Sequence, residues 1–255
     1  MNAPNNITWQ TPTAWPELPD GTVHVWAAEF DAWRADVVSA LDVLSPGERQ
    51  RAESYRFQDR RECSILARGL LRRLLGRYCG TEARAIEFSY GAHGKPSLGD
   101  LFSPLRFNVS HSNSVVVFAF TRAGEIGVDV ELVRSSNPRP LEIAERYFSP
   151  GELNQLLALP DAERAGGFFR CWTRKEAFLK ARGDGVFGGL ETFEVSIAKA
   201  EARLLSANGQ SNPQSWWMAA LPEIPEHVGA VVVQARECRA SYWRATPEFF
   251  AHNNL

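Results

Sequence analysis

The same four residues open two helices in this chain, and that repetition constrains the fold more than any other feature. Ser45-Pro46-Gly47-Glu48 and Ser149-Pro150-Gly151-Glu152 each place Ser at an N-cap, Pro at the first helical position and Glu at the third. A strand-like stretch precedes each at nearly the same distance: residues 23–30 (VHVWAAEF) and 126–133 (IGVDVELV). Helical sequence follows each and stops at a glycine, Gly80 or Gly183. A second strand pattern comes next, residues 85–90 (AIEFSY) or 192–197 (TFEVSI). Three matches in one order predict two structurally similar halves. The predicted fold class is α+β, built of two similar α/β halves with the ligand site in the cleft between them. The halves divide at residues 1–122 and 123–255.

Other segments are placed by local pattern. The first twenty residues are rich in Pro and Asn and read as irregular. Residues 31–44 predict a helix with an apolar stripe through Val37, Val38 and Leu41. Asp59 and Glu62 offer a second helix start, and Cys63, Leu66, Leu70, Leu74 and Tyr78 mark one face beyond it. In the second half one long helix is expected from Ser149 through Glu176 to Lys180. Residues 215–221 (SWWMAAL) and 229–235 (GAVVVQA) read as strands, and 244–255 as a loose tail.

Composition narrows the class. A chain of 255 residues, 44% hydrophobic and 23% charged, suits one or two globular domains. It has no apolar run long enough to span a membrane, and its start lacks a basic-then-apolar signal pattern. The four cysteines form no CxxC pair, which makes a reducing cytoplasm the default. A net charge of −2 argues against general nucleic-acid binding. Locally, though, ten arginines and only four acids fall between Arg49 and Arg84. That run is either a solvated helix face or an anion surface for phosphates or an acidic protein.

The chemistry concentrates in residues 126–131 (IGVDVE) and 168–180 (FFRCWTRKEAFLK). In a strand, Asp129 and Glu131 leave the same face; in a helix, Trp172, Glu176 and Lys180 share one stripe. Where helix crosses strand, three carboxylates and a lysine can meet. Oxygen ligands suit Mg²⁺, and a lysine suits a phosphate. Taken singly, the acids also fit an edge-strand surface, and Glu176 with Lys180 fits an i, i+4 ion pair. The apolar run 115–120 before them predicts a central hairpin rather than an edge, and Phe168, Phe169, Trp172 and Phe178 make the surroundings of Glu176 apolar.

Residues 107–112 (FNVSHS) bring Ser and His together, but neighbours on a strand point opposite ways and no G-x-S-x-G elbow is present, so a hydrolase pair is rejected. His111 serves either as a phosphate donor at the strand mouth or as a satisfied core histidine. Gly94-Lys95-Pro96 is not a Walker loop; it is either a simple turn or a place where backbone and Lys95 approach a ligand. HExxH, zinc-spaced Cys/His sets and GxGxxG after a strand are all missing from the sequence.

Together GKP (94–96), FNVSHS (107–112), GVDVE (127–131) and WTRKEAFLK (172–180), in that order, resemble the 4′-phosphopantetheinyl transferases of the Sfp type. The resemblance implies a pseudo-twofold monomer that transfers the phosphopantetheine arm of coenzyme A to a serine of an acyl or peptidyl carrier protein. It implies Mg²⁺ and release of adenosine 3′,5′-bisphosphate, in fatty-acid synthesis or secondary metabolism. It assigns Asp129, Glu131 and Glu176 to the metal, and the catalytic roles to Glu176, as base, and Lys180. His111 and Lys180 are implied to contact coenzyme A phosphates, and Lys95 and Pro96 the nucleotide. Arg51 is implied near the 3′-phosphate, with Ser110 touching the ligand. The rival expectations are an inactive module that binds coenzyme A or a carrier protein, and a hydrolase of pyrophosphate bonds.

Overall fold

The computed structural model describes residues 7–99, 102, 104–133, 140–185, 189–199, 201–207 and 212–253. In the first half, strand β1 (Thr22–Glu29) leads through a 3-10 segment to helices α1 (Val37–Asp42), α2 (Pro46–Glu53) and α3 (Gln58–Cys79). Strands β2 (Phe88–Tyr90), β3 (Pro96–Leu98), β4 (Arg106–Ser112) and β5 (Val115–Thr121) follow. The second half contains β6 (Ile126–Leu132), α4 (Pro140–Tyr147), α5 (Pro150–Leu157), α6 (Asp161–Arg182), β7 (Phe193–Val195) and β8 (Leu204–Ala207). It continues with β9 (Trp217–Ala220) and β10 (His227–Val233), before β11 (Arg239–Arg244) and α7 (Pro247–His252). Among the described residues, no helix is long and apolar enough to cross a membrane.

The two main sheets run β11-β1-β5-β4 and β6-β10-β9. They stack face to face. Val23, Val25, Val117 and Ala119 of the first meet Ile126, Val128, Val130 and Val231 of the second. The opposite face of the first sheet, with Trp26, Val116, Phe118 and Phe120, packs on Leu66, Leu70 and Leu74 of α3. The opposite face of the second, with Ala230 and Val232, packs on Ala177, Phe178 and Ala181 of α6. The layers are therefore helix, sheet, sheet, helix, and each fully buried Leu or Phe contributes roughly 1.5–3 kcal/mol. The alternation of Trp26, Phe118 and Phe120 with small or β-branched neighbours divides the first sheet's residues between the two cores.

Both SPGE segments form the capping box their sequence predicts. Ser45 Oγ accepts from Glu48 N and Glu48 Oε2 from Ser45 N; Ser149 and Glu152 do the same. The likeness goes further than the box. Glu48 Oε2 also takes Arg72 Nε of α3 at 2.7 Å, and Arg72 reaches on to the carbonyl of Ile86. Glu152 Oε2 takes Lys175 Nζ of α6 at 2.8 Å, and Lys175 reaches the carbonyl of Phe193. In each half one glutamate thus ties the short helix to the long helix, whose basic partner reaches the segment leading into β2 in the first half and β7 itself in the second. Gly80 and Gly183 end α3 and α6 with φ of 66° and 79°, where a side chain is disfavoured.

Several local expectations are corrected. The helix after Ser149 is two helices, because Pro160 disfavours helical geometry at Leu159 and splits α5 from α6. Phe30–Asp36 is a 3-10 segment, so Phe30, Trp33 and Ala40 take the core and Val38 turns out, 73% exposed. Neither Asp59 nor Glu62 caps α3; the N-cap is Phe57, and both acids lie against Arg34. Of the two short strands, Phe88–Tyr90 and Phe193–Val195 are the parts that pair as strand. The expected loose tail contains a helix, α7. Thr246 Oγ1 accepts from Phe249 N to cap α7, and Phe249 and Phe250 are buried in the core of the first half. β11 pairs in parallel with β1, so the end of the chain returns to the first half, across the division at 122/123.

One buried polar cluster sits between α3 and the first sheet. Trp26 Nε1 donates to Tyr78 Oη at 2.8 Å, and that hydroxyl lies 2.8 Å from His24 Nδ1. The hydroxyl can accept twice but donate once, so donation to His24 Nδ1, with the ring in its neutral Nε2–H tautomer, is the arrangement that satisfies both groups. Burial holds His24 down at about 4.

Candidate active site

The hairpin expected between residues 115–120 and 126–131 does not form. β5 and β6 belong to different sheets, and β6 is an edge strand, paired with β10 on one side only. Its open edge is nonetheless buried and satisfied. Alternate side chains of β4 reach across from the other sheet: Asn108 Oδ1 accepts from Val128 N at 2.9 Å, Ser110 Oγ from Val130 N at 3.4 Å, and Ser112 Oγ from Leu132 N at 3.1 Å. These are the amides an edge strand would otherwise leave to solvent. Even-numbered residues of β4 thus face β6, whereas His111 faces the opposite way.

The other flank of β6 is set by α6. A Cβ at Gly127 would overlap the carbonyl of Ala177 and the amide of Ala181, so the strand lies directly on the helix backbone. This contact brings Asp129 of β6 beside Glu176 and Lys180 of α6. Lys180 Nζ donates to Asp129 Oδ1 at 2.6 Å, to Ser110 Oγ at 3.0 Å and to the Val128 carbonyl at 3.3 Å. Ser110 donates to Asp129 Oδ1, and Ser112 to Glu131 Oε2, both at 2.8 Å. The lysine therefore pairs with Asp129 across the helix–strand contact, rather than with Glu176 one turn away.

Two carboxylate oxygens here, Asp129 Oδ2 and Glu176 Oε1, are buried without a hydrogen-bond partner. Burial, and then the charge of Asp129, push Glu176 up to about 7; Lys180 opposes this and Glu131 adds to it. Unpartnered buried oxygens are costly, and an all-oxygen donor set is the kind a hard cation takes. Among the described residues no three His, Cys, Asp or Glu side chains are drawn together as a ready-made cage. Asp129 Oδ1 is held by Lys180 and Glu131 Oε2 by Ser112, while the two unpartnered oxygens remain as donors. The residues fit one hard cation on that ground.

The remaining predicted residues line two hollows that share Val109 in their walls. A cleft of about 1270 Å³ between α2, α3 and the first sheet is lined by Arg51, Arg60, Pro96 and His111. Its enclosure, with Lys180 and Arg60, keeps the His111 imidazole below its ordinary pKa. A smaller hollow of about 190 Å³ is lined by His93, Lys95, Asn108, Glu176 and Lys180. Lys95 is engaged within the protein: Nζ donates to Glu125 Oε2 and to the carbonyl of Ala181, both at 3.0 Å. Glu125 also accepts from Arg106 at 2.9 Å. Burial would raise its carboxyl, but Lys95 and Arg106 outweigh that and hold it low. Sequence reasoning missed Asn108, Ser112 and Glu125. The first two carried a signal in the polar alternation of N-V-S-H-S; Glu125 carried none.

Comparison with known proteins bears on this site. The profile described as the 4′-phosphopantetheinyl transferase superfamily matches residues 125–232, and the one described as 4′-phosphopantetheinyl transferase, N-terminal, matches residues 26–123. The chain is 35% identical over 223 residues to the 4′-phosphopantetheinyl transferase HetI of Nostoc sp., covering 87% of this chain and 91% of that protein. It is 32% identical over 212 residues to the 4′-phosphopantetheinyl transferase psf-1 of Bacillus pumilus, covering 83% and 82%. Against the 4′-phosphopantetheinyl transferase Sfp of Bacillus subtilis it is 32% identical over 157 residues, covering 62% and 68%. The four motifs, the paired halves and these matches agree: this chain is an enzyme of the 4′-phosphopantetheinyl transferase superfamily, of the Sfp type.

Proposed function

We propose that this enzyme moves the 4′-phosphopantetheine arm of coenzyme A onto a serine hydroxyl of an acyl or peptidyl carrier protein, with Mg²⁺, and releases adenosine 3′,5′-bisphosphate. The observation that carries the reading is the pair of unpartnered buried oxygens on Asp129 and Glu176, beside the Lys180 ammonium.

In this reading Asp129, Glu131 and Glu176 hold the cation, which supplies charge stabilisation to the pyrophosphate. Lys180 and His111 bind phosphate oxygens, Arg51 takes the 3′-phosphate in the larger cleft, Lys95 and Pro96 lie along the nucleotide, and Ser110 touches the ligand. The serine oxygen bonds to the phosphorus that bears the pantetheine arm, and the bond from that phosphorus to the bridging oxygen breaks. The electron pair leaves with the nucleotide. A serine hydroxyl is a weak nucleophile and needs a base within reach. Glu176 is assigned as the group that receives its proton; its pKa of about 7 is that of the metal-free site, where burial and the charge of Asp129 raise it. Cationic groups set around the leaving phosphate stabilise the charge that develops there, and positioning contributes much of the rest.

The test is the intact mass of an apo carrier protein after incubation with this enzyme, coenzyme A and Mg²⁺. A gain of one phosphopantetheine arm, lost with Asp129→Ala, is the expected result. No gain on several unrelated carriers, despite coenzyme A binding, would replace the reading with a non-catalytic binding module. Free phosphopantetheine released without a carrier would replace it with a hydrolase.

A further inference from the structure

We infer that Ser112 is a positioning residue: it orients the Glu131 carboxylate by joining the carboxylate strand to the opposite sheet. The inference rests on the reading of Glu131 as a metal ligand and deepens it. Ser112 is the last residue of β4 and makes three contacts with the second half. Its hydroxyl donates to Glu131 Oε2 at 2.8 Å and accepts from Leu132 N at 3.1 Å. Its carbonyl lies 3.2 Å from His227 Nε2, at the start of β10. One hydroxyl thus holds both a carboxylate and the backbone of the next residue, and so fixes where Glu131 leaves the strand and how its side chain turns.

The other rungs show what is particular to Ser112. Asn108 holds the Val128 amide and, among the described residues, hydrogen-bonds no carboxylate. Ser110 holds Val130 and Asp129, deeper in the strand, where Asp129 is buried. Glu131 lies at the partly exposed end of β6, where a long side chain has more freedom to turn than the buried Asp129. A partner behind a metal-ligating carboxylate limits that freedom, and removal of such a partner typically lowers metal affinity tenfold or more.

The test uses the full chain saturated with coenzyme A and no carrier protein, so no turnover occurs. Mg²⁺ binding is measured by calorimetry for the wild type, Ser112→Ala, Ser112→Thr and Asn108→Ala. Amide exchange at Leu132 and Val128 is followed in parallel without metal. The expected result is a Kd for Mg²⁺ raised about tenfold in Ser112→Ala and restored in Ser112→Thr, which keeps the hydroxyl. Asn108→Ala is expected to expose the Val128 amide yet bind Mg²⁺ within about twofold of the wild type. Should Ser112→Ala not fold, Ser112→Cys takes its place, close in volume and weak in hydrogen bonding. Near-wild-type Mg²⁺ affinity in Ser112→Ala overturns the inference, and so does an equal loss in Asn108→Ala. A wild type that binds no Mg²⁺ overturns the metal reading itself and the inference with it, and is recognised before any variant is compared.

Discussion

Gly127 of β6 and Ala177 of α6 meet backbone to backbone, with no space for a side chain on the strand. That contact sets the distance between the strand bearing Asp129 and Glu131 and the helix bearing Glu176 and Lys180. Gly127→Ala forces the two apart. We expect a loss of about 3 kcal/mol, read as a lower urea midpoint, with transferase activity falling further than stability accounts for. An unchanged midpoint would show that the helix yields without cost.

Glu176 makes the metal-free enzyme sensitive to pH. Its folded pKa, about 7, lies above the ordinary 4.5, so between those values the folded chain keeps a proton that the unfolded chain has lost. Stability contributed by this group is therefore full below pH 4.5, declines through that window and stays low above it, by at most about 3 kcal/mol. In EDTA, Glu176→Gln is expected to melt higher than the wild type at pH 8 and level with it near pH 4.5. Parallel melting curves at both pH values would contradict this.

His24 acts in the opposite sense. Its folded pKa, about 4, lies below 6.5, so the unfolded chain takes up a proton first as pH falls. The neutral ring's stability is complete above pH 6.5 and is lost toward pH 4, by at most about 3 kcal/mol. His24→Gln retains an acceptor for Tyr78 and should flatten that part of the stability profile. A slope equal to that of the wild type would assign the acid lability elsewhere.

Lys175 and Glu152 are both 0% exposed and 2.8 Å apart. Lys175→Met strands a buried carboxylate and is expected to cost about 3–5 kcal/mol. Adding Glu152→Gln removes the stranded charge and should recover part of the loss in a denaturant series. A double variant no better than the single one would mean that the capping box, rather than the ion pair, carries the energy.

Glu125 holds Lys95 and Arg106, yet its side chain is 42% exposed, so these pairs contribute under about 1 kcal/mol. Glu125→Gln should leave the melting temperature nearly unchanged while raising the KM for coenzyme A, because Lys95 loses its carboxylate partner and is held only by the Ala181 carbonyl at the end of α6. A kcat effect at constant KM would point to a different role.

Much of the fold was legible because its signals are local. A capping box needs only Ser and Glu three residues apart, and a helix end needs only Gly80 or Gly183 in left-handed geometry. The site's strand and helix were legible through the 2.0 and 3.6 periods that put Asp129 with Glu131 and Glu176 with Lys180. The partners of these groups were not. Lys180 had an equally good local partner in Glu176, and only the packing of α6 on β6 turned it to Asp129. The final residues, 244–255, read as a tail because Phe249 and Phe250 are too few to show a period; their burial depends on a core built mostly by α3 and the first sheet.

The sequence by itself determined the two halves, the two capping-box helix starts, the glycine ends of the long helices and the identities of the carboxylates, lysine and histidine, since all of these follow from residue type and short-range spacing. Tertiary structure alone decided that β5 and β6 part into different sheets, and that the exposed edge of β6 is closed by Asn108, Ser110 and Ser112. It also decided which carboxylate oxygens are left without partners. The reason is physical. A buried amide or carboxylate must find a partner somewhere, but which partner it finds depends on distances across the stacked sheets, and those are set by many side-chain volumes at once rather than by any neighbour in the chain.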